Sequence, residues 1–175
     1  MDLRFILSQI LGIAGTVLYF LSYQYRDNRK LYTMQFFSYF MYTTHFIMLG
    51  ALTGGLSYVL NLVRSLFLAS KWRFAQSKKM CVFLCSMQIL VLVTTWAGWI
   101  SLLPVLANIA TTIGGYTHNA QKIRISGIFI NSPLWIIYDL IIGSWAGVAD
   151  ELISIVSGII SIKRFGWKEL NEVAE

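Results

Sequence analysis

Arg64 stands inside an apolar run from Gly54 to Ser70, and Asn61 precedes it by three residues. That spacing puts both side chains on one face of a helix. A guanidinium beside an amide can anchor a carboxylate or another anionic group. Counted from the start of the run, Arg64 lies about 15 Å down at 1.5 Å per residue, close to the middle of a bilayer. The competing reading is that its long stem carries the charge out to the boundary. For Asn61 the competing reading is a hydrogen bond between helices, and Asn108 has the same two readings.

A second set is acidic. His45, Asp139, Asp150 and Glu151 all fall near one end of their apolar runs. Three carboxylates beside a histidine would suit cation capture or proton coupling. Asp150 and Glu151 have a simpler explanation as early residues of a helix, where the dipole favours negative charge. His45 and Asp139 have none, so they join the candidate site.

The third set is Asn131, Ser132 and Pro133, followed by Trp135 and Tyr138. Proline removes an amide donor and frees the carbonyl four residues back, which predicts a kink and makes Pro133 the expected gate. Trp135 can stack on a ligand or face lipid. Cys81 and Cys85 are four apart, match no zinc or redox spacing, and read as buried thiols. No GxSxG, HExxH or P-loop occurs, so neither an enzyme, a cofactor nor a metal is expected.

The elements that must hold these residues follow from composition. Of 175 residues, 57% are apolar and 13% charged, and mean hydropathy is +0.64. A soluble domain carries about 25% charged residues. This excludes a water-soluble globule, a disordered chain and, despite a net charge of +6, a nucleic-acid partner. The expected partner is the lipid bilayer.

A bilayer core of about 30 Å needs about 17–25 helical residues per crossing. Seven runs meet that: Leu3 to Tyr23, Leu31 to Gly50, Gly54 to Ser70, Met80 to Gly98, Leu102 to Asn119, Arg124 to Gly143, and Gly147 to Ile162. The first lacks the features of a cleaved signal peptide and is expected to be retained. All the Lys and Arg except Arg4 and Arg64 fall after runs one, three, five and seven. Cytoplasmic loops collect such residues, so the N-terminus is expected outside and the C-terminus inside. Trp72, Trp96, Trp99, Trp145 and Trp167 lie near run ends, where rings anchor at the headgroup boundary.

A shift of 93 residues places Gly50 on Gly143, Gly54 on Gly147, Tyr42 on Trp135 and Lys71 on Arg164. A shift of 96 places Thr16 on Thr112. This order divides the single transmembrane domain into a triple-helix bundle (1–74), a linker helix (75–100), a second bundle (101–165) and a short tail (166–175). One intervening span leaves the two trios parallel. Gly114 and Gly115 are expected to allow close helix packing.

The stretch Tyr25-Arg26-Asp27-Asn28-Arg29-Lys30, His45 before Gly50, Leu60-Asn61 with Arg64-Ser65, and Pro133-Leu134-Trp135 with Gly143 and Gly147 resemble the YgjV-type bacterial inner membrane proteins. The resemblance implies a multi-pass protein of the bacterial inner membrane. It also implies the MtN3-like superfold of SWEET facilitators, PQ-loop transporters and the KDEL receptor, with 3+1+3 helices. In that fold an asparagine on the third helix contacts substrate, and Asn61 corresponds. The chain lacks a Pro-Gln dipeptide, and its only prolines are Pro104 and Pro133. The expectation is a small carrier that moves a polar solute, neutral or anionic, by alternating access. Asn61, Arg64, Asn131, His45, Asp139, Trp135 and Asn108 would line its path. A receptor or scaffold on the same fold is the alternative, and assembly into homo-oligomers is permitted.

Overall fold

The computed structural model describes residues 3–172. They form helices α1 (Leu3–Tyr23), α2 (Asn28–Met48), α3 (Leu52–Ala69), α4 (Lys78–Thr94), α5 (Leu102–Gly115), α6 (Ala120–Ser126), α7 (Ser132–Ile142), α8 (Trp145–Phe165) and α9 (Trp167–Glu172). A 3₁₀ turn, Trp99–Ser101, leads into α5. A π-helical turn, Gly127–Asn131, joins α6 to α7 as one rod.

The helices carry their amphipathicity inside out. On α1 the buried stripe is Ser8, Gly12, Gly15, Thr16 and Tyr19, spaced three or four apart. Ile6, Ile10, Ile13, Val17 and Leu21 face outward. The pattern repeats on α8, where Asp150, Glu151, Ser154, Ser157 and Ser161 are buried and Leu152, Val156, Ile159 and Ile160 are exposed. A polar interior within an apolar mantle is a structure for lipid, because water would reward the opposite arrangement. By length and composition, Leu3–Tyr23, Leu52–Ala69, Ala120–Ile142 and Trp145–Phe165 can each cross a membrane. The helix α2 has the length but many polar residues, while α4 and α5 are shorter, at 17 and 14 residues.

Helix α2 packs between α1 and α3, and the α6–α7 rod packs between α5 and α8. Contacts of α1 with α8 and of α3 with α5 close these six rods into a ring. Helix α4 lies outside it, against α3 and α5, and buries only Met80, Leu84 and Gln88. Its Cys81 and Cys85 are free and half-buried rather than buried.

The helix starts explain small shifts from the expected bounds. Asp27, Ser77, Asn119 and Ser144 each accept a backbone N–H from the first turn that follows. The caps at Asp27 and Asn119 start α2 and the α6–α7 rod three or four residues earlier than hydropathy alone suggests. Gly50 and Gly143 close α2 and α7 with the same left-handed φ of 74°, which a side chain would strain. The expected tail is in part a helix: Leu170 of α9 is buried, and the Gln121 amide donates to the Trp167 carbonyl at 3.0 Å.

The two ends of the ring are stitched separately. At the basic end, the Asn28 amide donates to the His118 carbonyl (3.0 Å), Tyr116 to the Ala75 carbonyl (2.8 Å), and Gln76 to the Ser70 carbonyl. At the far end, Thr53 donates to the Thr95 carbonyl (2.9 Å) and Gln9 accepts from the Ala146 amide (2.9 Å). The five tryptophans placed near run ends are all exposed, while Trp135 is not.

Candidate functional site

Inside the ring a column of polar side chains runs from one end to the other. At the basic end it begins with Arg124, which is fully buried in α6 rather than lying in a loop. Its guanidinium donates to Ser161 Oγ (2.8 Å) and to the carbonyls of Ala120 (3.0 Å), Tyr23 (3.2 Å) and Tyr25 (3.1 Å). These bonds fasten the end of α1 to α6 and α8.

Arg64 comes next. It is 3% exposed, so its stem does not carry the charge out. It donates to Thr111 Oγ1 (2.7 Å), Thr112 Oγ1 (3.3 Å) and the Tyr39 hydroxyl (3.0 Å), and its Nε–H has no partner. Every partner is a neutral hydroxyl. Beside it Tyr19, Tyr23, Tyr32, Gln35 and Tyr39 surround a cavity of about 10 Å³, the size of one water. The glycine pair sets one wall: a Cβ at Gly115 would stand 2.6 Å from the Tyr32 hydroxyl.

Asn61 and Asn108 meet each other, with Asn61 Nδ2 donating to Asn108 Oδ1 at 2.8 Å across α3 and α5. Asn61 Oδ1 and Asn108 Nδ2 remain unpaired, so the bridge uses only half of each amide. Trp135 is 1% exposed and sits among Phe46, Tyr58 and Tyr138, with its ring 4.8 Å from that of Tyr58. It is a wall of the column, not a lipid-facing ring. The Tyr138 hydroxyl accepts from the Gly54 amide at 3.1 Å, joining α7 to the start of α3.

Pro133 itself lies on the outer surface of the ring. The π-helical turn runs directly into it, and the Ser132 amide bonds five residues back to Gly127. The widened turn absorbs the donor that proline lacks and presents Asn131 inward, 3.5 Å from Glu151 Oε1.

The far half of the column is acidic. Asp139, Asp150 and Glu151 are 1%, 2% and 3% exposed. The ring places Asp150 beside the hydroxyls of Tyr42 and Thr16, which share a 2.6 Å bond, and Glu151 beside Ser132. His45 is buried at the end of this group. Its Nδ1 lies 2.7 Å from the Ser8 carbonyl and its Nε2 lies 2.8 Å from Ser144 Oγ, which also serves Asp139. A carbonyl only accepts, so Nδ1 carries a hydrogen. Serine stands between histidine and aspartate here, the wrong order for an activated nucleophile.

All seven expected contact residues therefore lie in the ring's interior, and Pro133 lies on its outside. Asp150 and Glu151 stand beyond the first turn of α8, where the helix dipole has faded, and they belong to the column. The usable signal was their spacing to Ser154 and Ser157, which marks one polar face. Arg124 was hidden by its place among topological cations. Thr16 and Tyr42 enter only as matched positions of the internal repeat, and Tyr39 and Ser144 carry no sequence signal beyond type. Among the described residues, no cluster of His, Cys, Asp and Glu has the geometry to hold a metal ion.

No curated protein and no solved structure matches the chain. A family profile does, over residues 6–169, nearly its whole length. That profile describes a bacterial inner membrane protein, in keeping with the apolar mantle, and the chain belongs to this family, Imp-YgjV.

Proposed function

We propose that the protein is a small carrier that moves a polar, carboxylate-bearing solute through the column between two triple-helix halves. The observation that carries this is Arg64: a buried cation with only hydroxyl partners and an unused Nε–H. A fixed structural arginine has every nitrogen held by an acceptor, as Arg124 does. The Tyr39 hydroxyl donates to Gln35 Oε1 (3.2 Å) and the Thr111 hydroxyl to the Ala107 carbonyl (3.2 Å); turning those hydrogens toward an incoming anion would make Arg64, Tyr39 and Thr111 an anion cradle. Asn61, Asn108 and Asn131 supply unpaired or weakly paired amide groups for the rest of the solute, and Trp135 offers a ring face.

In this reading the chain crosses the membrane seven times, as three helices, the α4 linker and three helices. The N-terminus is outside and the basic end is cytoplasmic. The matched corners at Gly50 and Gly143 and the peripheral place of α4 support two repeated halves of the SWEET-like kind. Rocking of one half on the other, with the π-helical turn before Pro133 as the flexible joint, would open the column alternately.

A second reading is a receptor or scaffold that binds without transport. It is favoured by the filled centre, where space for a water-sized sphere beside Arg64 is only about 10 Å³. Uptake by reconstituted vesicles from a panel of carboxylates and neutral sugars separates the two. The carrier predicts uptake of a carboxylate that is lost in Arg64→Ala and weakened in Asn61→Ala. Equal uptake by both variants and wild type overturns the assigned contacts, and no uptake of any solute supports the receptor.

A further inference from the structure

The acidic half of the column does work that solute contacts leave unexplained. Three carboxyl groups, each at least 97% buried, have no cationic neighbour, and their electrostatic neighbours are one another. Asp139 Oδ1, Asp150 Oδ1 and Glu151 Oε2 lack hydrogen-bond partners. An independent orphan faces the same place: Ser154 Oγ, 3% exposed, lies one turn along α8 on the same buried face and is also unpaired. Isolated negative charges are not sustained in so dry a setting, so a neutralising cation must be able to reach them. The oxygens do not converge as a metal cage, since no metal-holding group exists among the described residues. The cation that needs no cage is the proton.

The surroundings supply a route. Helix α1 faces the trio with Thr16 and Tyr19, and α2 with Tyr39, Tyr42 and His45. Helix α3 faces it with Tyr58, while its Arg64 lies beyond, bonded to Tyr39. Helix α7 adds Tyr138 and Asp139 itself, and the buried polar residues of α5, Asn108 and Thr112, do not titrate. From the far end, His45, Ser144 and Asp139 form a continuous hydrogen-bonded run, followed by Tyr42 and Thr16 at Asp150, then Asn131 and Ser132 at Glu151.

We infer that Asp139, Asp150 and Glu151 form a proton-binding site loaded from the far end through His45 and Ser144. His45 Nε2, 2.8 Å from Ser144 Oγ, takes up a proton from water admitted at the far end and passes it to Ser144 Oγ as Ser144 gives its own hydrogen to a carboxylate oxygen of Asp139. Each carboxylate that accepts a proton becomes a neutral carboxyl, and His45 returns to its Nδ1–H form. As the use made of a loaded proton, co-transport with the anionic solute rests on the carrier reading above. The site itself does not.

The test is infrared difference spectroscopy of the purified protein in lipid, stepped in pH with the proton as the only ligand. The expected result is a protonated-carboxyl band in wild type that falls in each of Asp139→Asn, Asp150→Asn and Glu151→Gln and drops in the triple variant to the background of the chain's five other acidic residues. Glu151→Asp, which keeps a carboxyl, should retain a band at a shifted frequency even if Glu151→Gln folds poorly. A wild-type band no larger than that of the triple variant overturns the site. Because the band needs no solute, its absence sinks this inference alone, and an empty uptake panel sinks the carrier alone.

Discussion

Two buried arginines in one column have opposite surroundings. Arg124 is held by three carbonyls, which can only accept, and a serine, drawn from α6, α8 and the end of α1 with the residues just after it. Arg64 is held by two threonines and a tyrosine, hydroxyls that accept from it while donating to Gln35 Oε1 and to helix carbonyls, and its Nε–H is unpaired. Burial is the same in both, so the difference lies in the partners: carbonyls and a serine reach every nitrogen of Arg124, whereas hydroxyls alone hold Arg64 and leave its Nε–H unpaired, the feature on which the proposed anion site rests.

The largest effect that would break this contrast is on stability. Arg124→Ala should strip partners from the Tyr23 and Tyr25 carbonyls, at about 1–3 kcal/mol for each group left unsatisfied. Thermal unfolding in detergent should show a drop of several degrees, well beyond that of Arg64→Ala. Equal drops would mean that both arginines are staples. Next comes transport. Arg64→Gln keeps length and hydrogen bonding but removes charge, and the loss of a charge-assisted bond worth about 1.5–3 kcal/mol should cut carboxylate uptake about ten- to a hundred-fold. Arg124→Lys, measured per folded molecule, should leave uptake nearly unchanged.

Gly115→Ala sharpens the comparison at the cavity wall. Its Cβ would meet the Tyr32 hydroxyl at 2.6 Å and Leu68 Cδ1 at 2.8 Å, the ends of two side chains that can give way. Stability should fall by about 1 kcal/mol, at the low end for overpacking, while uptake falls further because the cradle narrows. The smallest effect belongs to Asn61→Ala, whose lost bond to Asn108 is worth about 0.6–2 kcal/mol in a membrane. A thermal shift larger than that of Gly115→Ala would recast the asparagine pair as a principal support.

The sequence revealed the rods better than it revealed their faces. The first apolar run and α1 both end at Tyr23, and polar and apolar stripes alternate cleanly along the helix. Hydropathy missed the capped starts of α2 and α6, where Asp27 and Asn119 begin the helix among charged residues. The contact residues were legible as polar types in apolar company, and all of them lie inside the ring. Their partners were not. Whether Asn61 meets Asn108 depends on how α3 approaches α5, a long-range fact that no local spacing carries. Asp150 and Glu151 were excused by their early place in a helix, yet they lie past the first turn on the inward face. Arg124 is indistinguishable in the sequence from the loop cations around it, since its depth differs from theirs by only a turn or two of helix.

The most direct test of the central contrast is anomalous diffraction from crystals equilibrated with bromide, a small anion that requires no knowledge of the solute. The account predicts a bromide peak within hydrogen-bonding distance of Arg64 Nε and a tyrosine hydroxyl, and none at Arg124. A peak of equal height at Arg124, or none at Arg64, would contradict it.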